Sequence, residues 1–514
     1  MMKHQGVILG FAMMLTASLM AADRVPTDAG MVEGTASADA KIRVFKGIPY
    51  AAPPVGALRW KAPQPVAKWA DIRKTVEFAP RCTQGRIYDD MVFRDKGGSE
   101  DCLYLNVWAP VTSVEAHLPV MVWIHGGGFI AGASSEPRQD GENLARKGVV
   151  VVTLNYRLGV FGFLAHPELT RESDHNASGN YGLLDQVAAL GWVHRNIALF
   201  GGDPGSITIF GESAGSLSVS ALMATPLAEG LFQRAIGESG AFFGDTLSTR
   251  PLAVAEFEGV AFGKSLGAGS ITRLRAKTED EILQASLKPH AFRFSPDIDG
   301  YFLPSPVSSI FENGKQSSVP LLAGWNADEG GYQGIFEKDN PTPENFVKRV
   351  RALYGGKADA VLKLYPAATG DEAKRSAADL AGDRFIAFGT WKWIEMHAAT
   401  GGSQVFRYEF DQAPPMPVGD KGESRGAYHS AEIEFVFGAL PSKNLPWGPE
   451  DTKLSDLMST YWSNFAKTGD PNGEGLPKWP AYNADSHFQV MHLSGNSAAA
   501  PDAHRARYEF LDSR

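Results

Sequence analysis

Short apolar segments recur along the chain, and several of them end in a glycine-rich or polar turn. The segments at 121–124 (MVWI), 206–210 (SITIF) and 319–324 (VPLLAG) are short and rich in branched or aromatic residues. Runs of this length and composition predict buried β-strands rather than helices. The segment at 216–224 (SLSVSALMA) can continue as a helix. The pattern therefore predicts a strand, a sharp turn and a helix over 206–224.

Two serines follow a Gly-Glu step at the end of such a segment, and either could be a nucleophile. A serine raised on a sharp strand-to-helix turn needs glycine two residues before it and two residues after it, because the turn leaves no room for a side chain. Ser213 has both glycines, Gly211 and Gly215, whereas Ser239 has Ala241 at the second position. The spacing predicts that Ser213 is the nucleophile and that Ser239 supports it from the end of a neighbouring strand.

Three consecutive glycines follow the strand predicted at 121–124. Each glycine costs chain entropy, and packing alone gives no reason for three of them. Glycines do allow backbone N–H groups to approach a ligand atom, as an oxyanion hole requires. We predict that the N–H groups of Gly127, Gly128 and Ala214 form this hole. The alternative is a merely flexible loop.

A base and an orienting acid should follow the serine in the chain order Ser, acid, His. Among the twelve histidines, His429 stands out because it lies on a loop directly before an apolar segment and after every candidate acid. The acid candidates are Asp328 and Glu329, on the loop after the strand predicted at 319–324. Composition alone does not choose between these two carboxylates.

Charge and length exclude some classes of protein. The 514 residues carry 49 basic and 58 acidic side chains, a net charge of −9, which disfavours nucleic acid as a partner. Length alone suggests about three domains, although large α/β enzymes often form a single unit of this size. The segments 413–426 and 494–503, rich in small and loop-forming residues, are the ones we expect to be disordered.

The N-terminal segment is typical of a secretory signal peptide. Lys3 precedes 15 apolar residues, and small residues follow near position 22, so residues 1–22 are expected to be cleaved. The apolar run is too short to span a membrane, and no cysteine is present there for a lipid anchor. We therefore expect an exported protein, periplasmic or extracellular, without a membrane anchor.

Cys82 and Cys102 are the only cysteines. In an exported chain such a close pair favours a disulfide, although two buried free thiols are the alternative. Two cysteines do not build a zinc site and no His-Glu-x-x-His motif occurs, so the sequence predicts no metal and no other cofactor.

Longer motifs resemble the type-B carboxylesterase and cholinesterase family, in its bacterial, para-nitrobenzyl esterase-like branch. The resemblance runs in order from about residue 30 to about residue 490. It implies the α/β-hydrolase fold: a large, mostly parallel twisted sheet flanked by helices, with loop insertions over the active site, in a single domain over 23–514. The motifs are FGGDPGSITIFGESAG (200–215), EDCLYLNVW (100–108), GIPYAAPPVGALRW (47–60), NYGLLDQVAALGWVHRNI (180–197), LFQRAIGESG (231–240), DIDGYFLP (297–304), YHSAEIEFVFG (428–438), TGDPN (468–472) and WPAY (479–482).

The resemblance also implies particular roles. The family's acid lies in an Asp-Glu-Gly step and its histidine in a His-x-x-Glu segment, which here are Glu329 and His429. Its oxyanion donors agree with those predicted above, and its first disulfide corresponds to Cys82–Cys102. Glu212, before the nucleophile, aligns with a family glutamate near the site; a buried carboxylate tied to loop amides is an equally good interpretation.

The chain departs from the family in three places. The loop between the two cysteines contains Tyr88 and Phe93 but none of the tryptophan that binds choline by cation–π attraction, which disfavours choline esters. Phe292 and Phe294 match the region of the acyl pocket, but the local spacing is two residues shorter than in the family, and two core phenylalanines are as good an interpretation. Ser239 follows a glutamate where the family usually has glutamine, and it could donate a hydrogen bond toward Glu329.

These observations predict a serine carboxylesterase that acts on small-molecule esters through an acyl-enzyme. Its activity should fall on acidification with a midpoint near about pH 6–7, as His429 becomes protonated. Alternatives are a lipase, a hydrolase of a bulky natural or xenobiotic ester, and a non-catalytic recognition module of the same fold. The sequence leaves the substrate and the oligomeric state open. The loops expected to shape the pocket are 83–99, 286–300, 330–345 and 412–427.

Overall fold

The computed structural model describes residues 23–513 except 113, 245–247, 289–291 and 421, so the predicted signal peptide lies outside the described residues. The strands are β1 (Arg24–Pro26), β2 (Met31–Glu33), β3 (Thr35–Ala36), β4 (Ile42–Pro49), β5 (Arg73–Lys74), β6 (Arg81–Cys82), β7 (Gly98–Ser99), β8 (Tyr104–Pro110), β9 (Leu118–Ile124), β10 (Val150–Leu154), β11 (Gly202–Glu212), β12 (Arg234–Glu238), β13 (Arg250–Pro251), β14 (Asp297–Ile298), β15 (Leu321–Asn326), β16 (Val405–Phe410), β17 (Gln489–Leu493) and β18 (Ala498–Pro501).

The α-helices are α1 (Glu142–Ala145), α2 (Gly159–Phe163), α3 (Pro167–Glu172), α4 (Tyr181–Asn196), α5 (Ala214–Ala224), α6 (Leu252–Ser265), α7 (Ile271–Arg275), α8 (Glu279–Ser286), α9 (Val307–Glu312), α10 (Gln333–Phe336), α11 (Pro343–Tyr354), α12 (Ala358–Leu364), α13 (Gly370–Gly382), α14 (Phe388–Thr400), α15 (Ile433–Val436), α16 (Pro449–Thr468) and α17 (Arg505–Asp512). A π-helical segment, Asp383–Ala387, joins α13 to α14.

One large sheet organises the described residues. Its eleven strands lie in the order β18-β17-β16-β15-β12-β11-β9-β10-β8-β4-β3. The seven strands from β17 to β10 run parallel, and antiparallel strands extend the sheet at both ends. This is the mostly parallel α/β-hydrolase sheet that the motifs predict, and that prediction is confirmed.

The central strands are buried on both faces, which explains why they appear in the sequence as uninterrupted apolar runs. Every residue of β10 and β15 is buried. Side chains alternate along β9: Val122 belongs to the core on one face, whereas Met121 and Trp123 belong to the core on the other. Helices α4 and α5 contribute to the first core, and α16 contributes to the second.

The predicted elements around Ser213 are present. The segments predicted as strands at 121–124, 206–210 and 319–324 fall within or largely overlap β9, β11 and β15, and the helix α5 begins two residues earlier than the predicted 216. The prediction of disorder at 494–503 is wrong, because β18 pairs antiparallel with β17 there. The segment 413–426 contains no helix or strand among its described residues.

Parallel strands bring the sites of chemistry to one edge of the sheet. The glycine run follows β9, Ser213 follows β11, Ser239 follows β12 and Glu329 follows β15, while a long loop after β16 carries His429. Loops at the carboxyl ends of parallel strands are where open α/β sheets bind their ligands. Within the described residues, no helix combines the length and the apolar character needed to cross a bilayer.

Candidate active site

Ser213 lies on a strained turn between β11 and α5. Its backbone has φ 54° and ψ −119°, a conformation that costs a non-glycine residue energy and is typical of functional sites. A side chain at Gly215 would place Cβ 1.9 Å from the carbonyl oxygen of Ile124, and one at Gly211 would place Cβ 2.6 Å from the same oxygen. Helix α5 therefore packs directly on the end of β9, and this contact explains the two glycines flanking the serine.

His429 and Glu329 are in direct contact. Nδ1 of His429 lies 2.6 Å from Oε2 of Glu329. The other carboxylate oxygen accepts a hydrogen bond of 2.5 Å from the Ser239 hydroxyl and one of 2.9 Å from the backbone N–H of Asn326. Contacts with His429, Ser239 and Asn326 thus fix the Glu329 carboxylate. On His429, Nδ1 is occupied by this contact, so Nε2 is the ring nitrogen that faces other partners.

Asp328, the other candidate acid, points elsewhere. Its carboxylate accepts a hydrogen bond of 2.8 Å from the backbone N–H of Ala427, on the loop that precedes His429. Of the two carboxylates that composition left open, Glu329 is the one that contacts His429. Asp328 instead ties the loop after β15 to the loop that carries the histidine.

Glu212 faces His429 from the other side. Its Oε1 atom lies 3.2 Å from Nε2 of the histidine. Burial raises the pKa of Glu212, while the positive charges of His429 and Arg138 act to lower it; burial has the larger effect. Burial lowers the pKa of His429, but the negative charges of Glu212 and Glu329 outweigh burial and raise it above the ordinary value. Two carboxylates therefore stabilise the protonated imidazole, which acts to move the midpoint of activity above the predicted pH of about 6–7.

Two further carboxyl groups are buried behind this site. The indole N–H of Trp462 donates a hydrogen bond of 2.7 Å to Glu238, and the side-chain amide of Asn326 donates one of 2.5 Å to Glu432. Burial raises the pKa of both acids, that of Glu432 to about 8 with the help of Glu212 and Glu329. Both acids are therefore harder to ionise than a glutamate in water. The motif used to find His429 contains Glu432, but its spacing does not reveal the burial.

The predicted oxyanion donors lie together. Gly127 and Gly128 have φ of 100° and 64°, the left-handed region that favours glycine. Ala214 is the first residue of α5, where a helix leaves its N–H groups without internal partners. Within the described residues, none of these three N–H groups donates a hydrogen bond to a protein acceptor. All three residues line the same cavity as Ser213.

This cavity has a volume of about 700 Å³ and opens to solvent. Its wall contains both Ser213 and His429, together with Tyr88 from the loop between the cysteines. Phe93 of that loop lies instead under the guanidinium of Arg81, 4.7 Å from the ring centre.

Both phenylalanines of the predicted acyl pocket line the cavity. Phe292 and Phe294 also pack edge-on against Phe262, with ring centres 5.3 and 5.1 Å away, so they belong to the core as well. The loop 330–345, which we expected to shape the pocket, contributes none of the described lining residues. The π-helical segment contributes Phe385 instead, whose ring lies 5.4 Å from that of His429. No local motif marks Phe385 in the sequence.

The two cysteines are adjacent in space. The structure pairs the sulfur atoms of Cys82 and Cys102 in a disulfide, with Cα atoms 4.9 Å apart. Thr83 and Gln84, next to Cys82, line the cavity. The paired cysteines therefore define the base of the loop that brings Tyr88 over the site.

Comparisons with known proteins identify similar sequences and a similar fold. The chain is 38% identical to para-nitrobenzyl esterase of Bacillus subtilis, over 91% of this chain and 94% of that protein. It is 37% identical to the medium-chain fatty acyl-CoA hydrolase precursor of Anas platyrhynchos, over 95% and 92%, and 38% identical to fumonisin B1 esterase of Sphingopyxis macrogoltabida, over 89% and 84%. The solved structure of a thermophilic PNB esterase matches with a TM-score of 0.81 and 36% identity, covering 95% of this chain and all of that one.

The family assignment rests on nearly the whole chain. Homologues at this identity and coverage are named as esterases, carboxylesterases and an acyl-CoA hydrolase. The sequence model of the carboxylesterase family matches residues 21–511. The chain therefore belongs to the carboxylesterase family, whose members are carboxylic ester hydrolases with the α/β-hydrolase fold.

Proposed function

We propose that this chain hydrolyses esters through an acyl-enzyme on Ser213, with His429 as the general base and Glu329 as the orienting acid. One observation carries the proposal: Glu329 holds Nδ1 of His429 at 2.6 Å, and the histidine shares the wall of one cavity with the strained Ser213. A carboxylate at Nδ1 keeps the proton on that nitrogen, so Nε2 is the nitrogen that can accept a proton from the serine. A non-catalytic module would have no need of this arrangement.

The chemistry proceeds in two steps. His429 takes the proton of the Ser213 hydroxyl as the oxygen attacks the ester carbonyl, and the carbonyl electrons move to oxygen. The carbon–oxygen bond to the alcohol then breaks, and His429 returns the proton to the leaving alcohol. A water molecule, deprotonated by the same histidine, attacks the acyl-enzyme; the bond between the acyl carbon and the Ser213 oxygen then breaks, His429 returns the proton to that oxygen, and the acid is released. No step requires an oxidant or any co-substrate other than water.

The oxyanion of both steps would lie against the N–H groups of Gly127, Gly128 and Ala214. Since none of them donates to a protein acceptor in the described residues, they are available to a developing negative charge. Preorganised donors of this kind are each worth about 10²–10³ in rate. Glu212 would stabilise the imidazolium that forms at His429, because its carboxylate lies 3.2 Å from Nε2.

Covalent labelling tests the assignment of the nucleophile. A fluorophosphonate probe should label the wild-type chain at Ser213 and should leave Ser213→Ala unlabelled and inactive, while Ser239→Ala should still be labelled. Peptide mass spectrometry identifies the modified residue. A label on Ser239 would overturn the proposal.

The two acid candidates provide a matched pair. Glu329→Gln should lower kcat by about 10³-fold or more, because the histidine loses its orienting charge. Asp328→Asn should be mild, because an amide oxygen can still accept the hydrogen bond from Ala427. Initial rates on a nitrophenyl ester measure both, and the reverse order of effects would move the acid to Asp328.

The substrate is proposed as a small-molecule ester with an apolar acyl group. Tyr88, Phe292 and Phe294 give the cavity wall an aromatic, apolar surface. The names of the relatives do not narrow the choice, because proteins of 37–38% identity are named for acyl-CoA, fumonisin and nitrobenzyl substrates. An acyl-chain series would discriminate a lipase, which prefers long chains and is activated at an interface.

We also propose that the chain is exported and that Cys82 and Cys102 are oxidised. The apolar segment before residue 22 and the adjacent sulfur atoms support both proposals. N-terminal sequencing of the protein recovered outside the cytoplasm should begin near residue 23. Thiol titration under denaturing conditions should find no free thiol until a reductant is added; two free thiols would contradict the disulfide.

A further inference from the structure

Three side chains able to bind a metal meet on one face of the large sheet, on the strands β16 and β17. These strands are hydrogen-bonded neighbours in parallel register, with Glu409 directly opposite His492. The backbone N–H of Asp411 donates to the carbonyl of Leu493 at 3.0 Å, which extends the pairing beyond the end of β16. Because side chains alternate along a strand, Glu409 and Asp411 lie on the same face, and His492 joins them from the next strand.

The ligand atoms of the three residues are close together. One carboxylate oxygen from each acid and one ring nitrogen of His492 all lie within 4.8 Å of one another. Nδ1 of His492 is 2.8 Å from Oδ2 of Asp411. Zinc bonds of about 2.0–2.2 Å place neighbouring ligand atoms about 3.3–3.6 Å apart. Side-chain rotations that move the ligand atoms by about 1 Å would therefore complete the site.

The environment of the Glu409 carboxylate indicates a ligand. Glu409 is only 7% exposed, and its carboxylate has neither a hydrogen bond nor an ion pair to any described residue. The charges of Arg407 and His492 attract the Glu409 carboxylate, but neither forms an ion pair with it. Arg407 is paired with Asp502. A buried carboxylate without a partner is unfavourable, and a bound cation is one of the few groups that compensates it.

The chemistry of the three ligands selects the class of cation. Two carboxylates supply two negative charges, and an imidazole nitrogen favours a first-row divalent ion over Mg²⁺ or Ca²⁺, which prefer oxygen alone. Solvent reaches the site, because the side chains of Asp411 and His492 are 30% and 31% exposed. None of the three residues lines the cavity that contains Ser213, although Glu409 lines a second, small cavity to which Glu329 also contributes.

We propose that Glu409, Asp411 and His492 form a binding site for a first-row divalent cation such as Zn²⁺, separate from the ester site. The cation would join β16 to β17, near the edge of the sheet where β18 is the last strand. Sequence motifs miss this site, because 81 positions separate Asp411 from His492. The site is structural, and ester hydrolysis does not depend on it.

Calorimetric titration with ZnCl₂ tests the proposal on the mature chain, purified without a polyhistidine tag and treated with a chelator that is then removed. We expect one Zn²⁺ per chain, no comparable binding of Mg²⁺, and a rise in Tm of about 2 °C at saturating Zn²⁺, because a ligand of the folded state stabilises it. The variants Asp411→Asn and His492→Gln should each lose at least about tenfold in affinity. Glu409→Gln should lose as much.

His194→Gln is the matched control, because His194 is an exposed histidine on α4 outside the cluster. It should bind Zn²⁺ like the wild type. Circular dichroism and the rate on a nitrophenyl ester should match the wild type in all four variants, which shows that each has folded. Wild-type affinity in His492→Gln or Asp411→Asn, or no Zn²⁺ binding by the wild type, would overturn the proposal. Loss of Zn²⁺ binding with an unchanged ester rate would leave the proposed esterase mechanism intact.

Discussion

The hydroxyl of Ser239 donates a 2.5 Å hydrogen bond to Oε1 of Glu329, the carboxylate that holds His429 through its other oxygen. The serine of the second Gly-Glu-Ser step, Ser239, therefore contacts the proposed orienting acid, Glu329. Ser239 directly follows β12, and Glu329 lies on the loop after β15. These two neighbouring parallel strands therefore bring the two residues together.

Replacing Ser239 by alanine should lower kcat by about tenfold and leave KM nearly unchanged. The variant removes one hydrogen bond to a charged acceptor, a contact worth about 1.5–3 kcal/mol, while the N–H of Asn326 still holds the same oxygen. Ser463→Ala is the control, because Ser463 is similarly buried but donates to the carbonyl of Thr460 on α16, away from the cavity. Steady-state rates on one ester measure both variants. Equal rates in Ser239→Ala and the wild type would reduce Ser239 to a packing role.

The strands around the site were predictable because parallel strands buried on both faces are continuous apolar runs. The nucleophile was predictable for a steric reason: only glycine fits where α5 packs on Ile124. The choice between Asp328 and Glu329 was not predictable from composition, since both lie on one turn. Their orientations are set by partners far away in the chain, Ala427 for the first and Ser239 for the second.

Other features depend on contacts that leave no local pattern. The strand β18 is alanine-rich and ends in proline, a composition that does not favour a strand. It becomes one because the edge of β17 offers unpaired backbone groups. Phe385 contacts His429 from a π-helical segment that is not among the loops suggested by the sequence.

Glu212→Gln should move the acid limb of the pH–rate profile to lower pH by about one unit. His429 must be neutral to accept the proton of Ser213, so activity falls as pH drops through its pKa. The negative charge of Glu212 raises the pKa of His429, and glutamine removes that charge while keeping the shape. The maximal rate should also fall, because the imidazolium of the transition state loses a partner at 3.2 Å.

The control for this profile is Asp90→Asn, which removes a negative charge from the same cavity wall. The Asp90 carboxylate faces Arg138 at 3.8 Å rather than the histidine. Its profile of kcat/KM against pH should overlay that of the wild type. An acid limb that stays in place in Glu212→Gln would show that Glu212 does not control the protonation of His429.

Gly215→Ala should destabilise the fold by at least about 3 kcal/mol and abolish activity. The added Cβ would lie 1.9 Å from the carbonyl oxygen of Ile124, so either α5 or β9 must move. Either movement displaces Ser213 from the cavity. Gly269→Ala is the matched control, because nothing lies within 4 Å of its added Cβ, and its stability should equal or slightly exceed that of the wild type. Urea unfolding followed by tryptophan fluorescence measures the difference, and a Gly215→Ala variant as stable as the control would contradict the close contact.

Phe292→Ala should shift the specificity of the enzyme toward bulkier acyl groups. The ring of Phe292 lines the cavity and packs edge-on against Phe262, so its removal widens the proposed acyl pocket. The ratio of kcat/KM for a branched or six-carbon acyl ester to that for an acetyl ester should rise about tenfold, the range expected for a few added methylene groups in an apolar pocket. Phe257→Ala removes the same side chain from an exposed position on α6, where it is 76% exposed, and should leave the ratio unchanged. If Phe292→Ala lowers stability while the ratio stays constant, Phe292 belongs to the core alone, and the acyl pocket must be formed by other residues of the same wall.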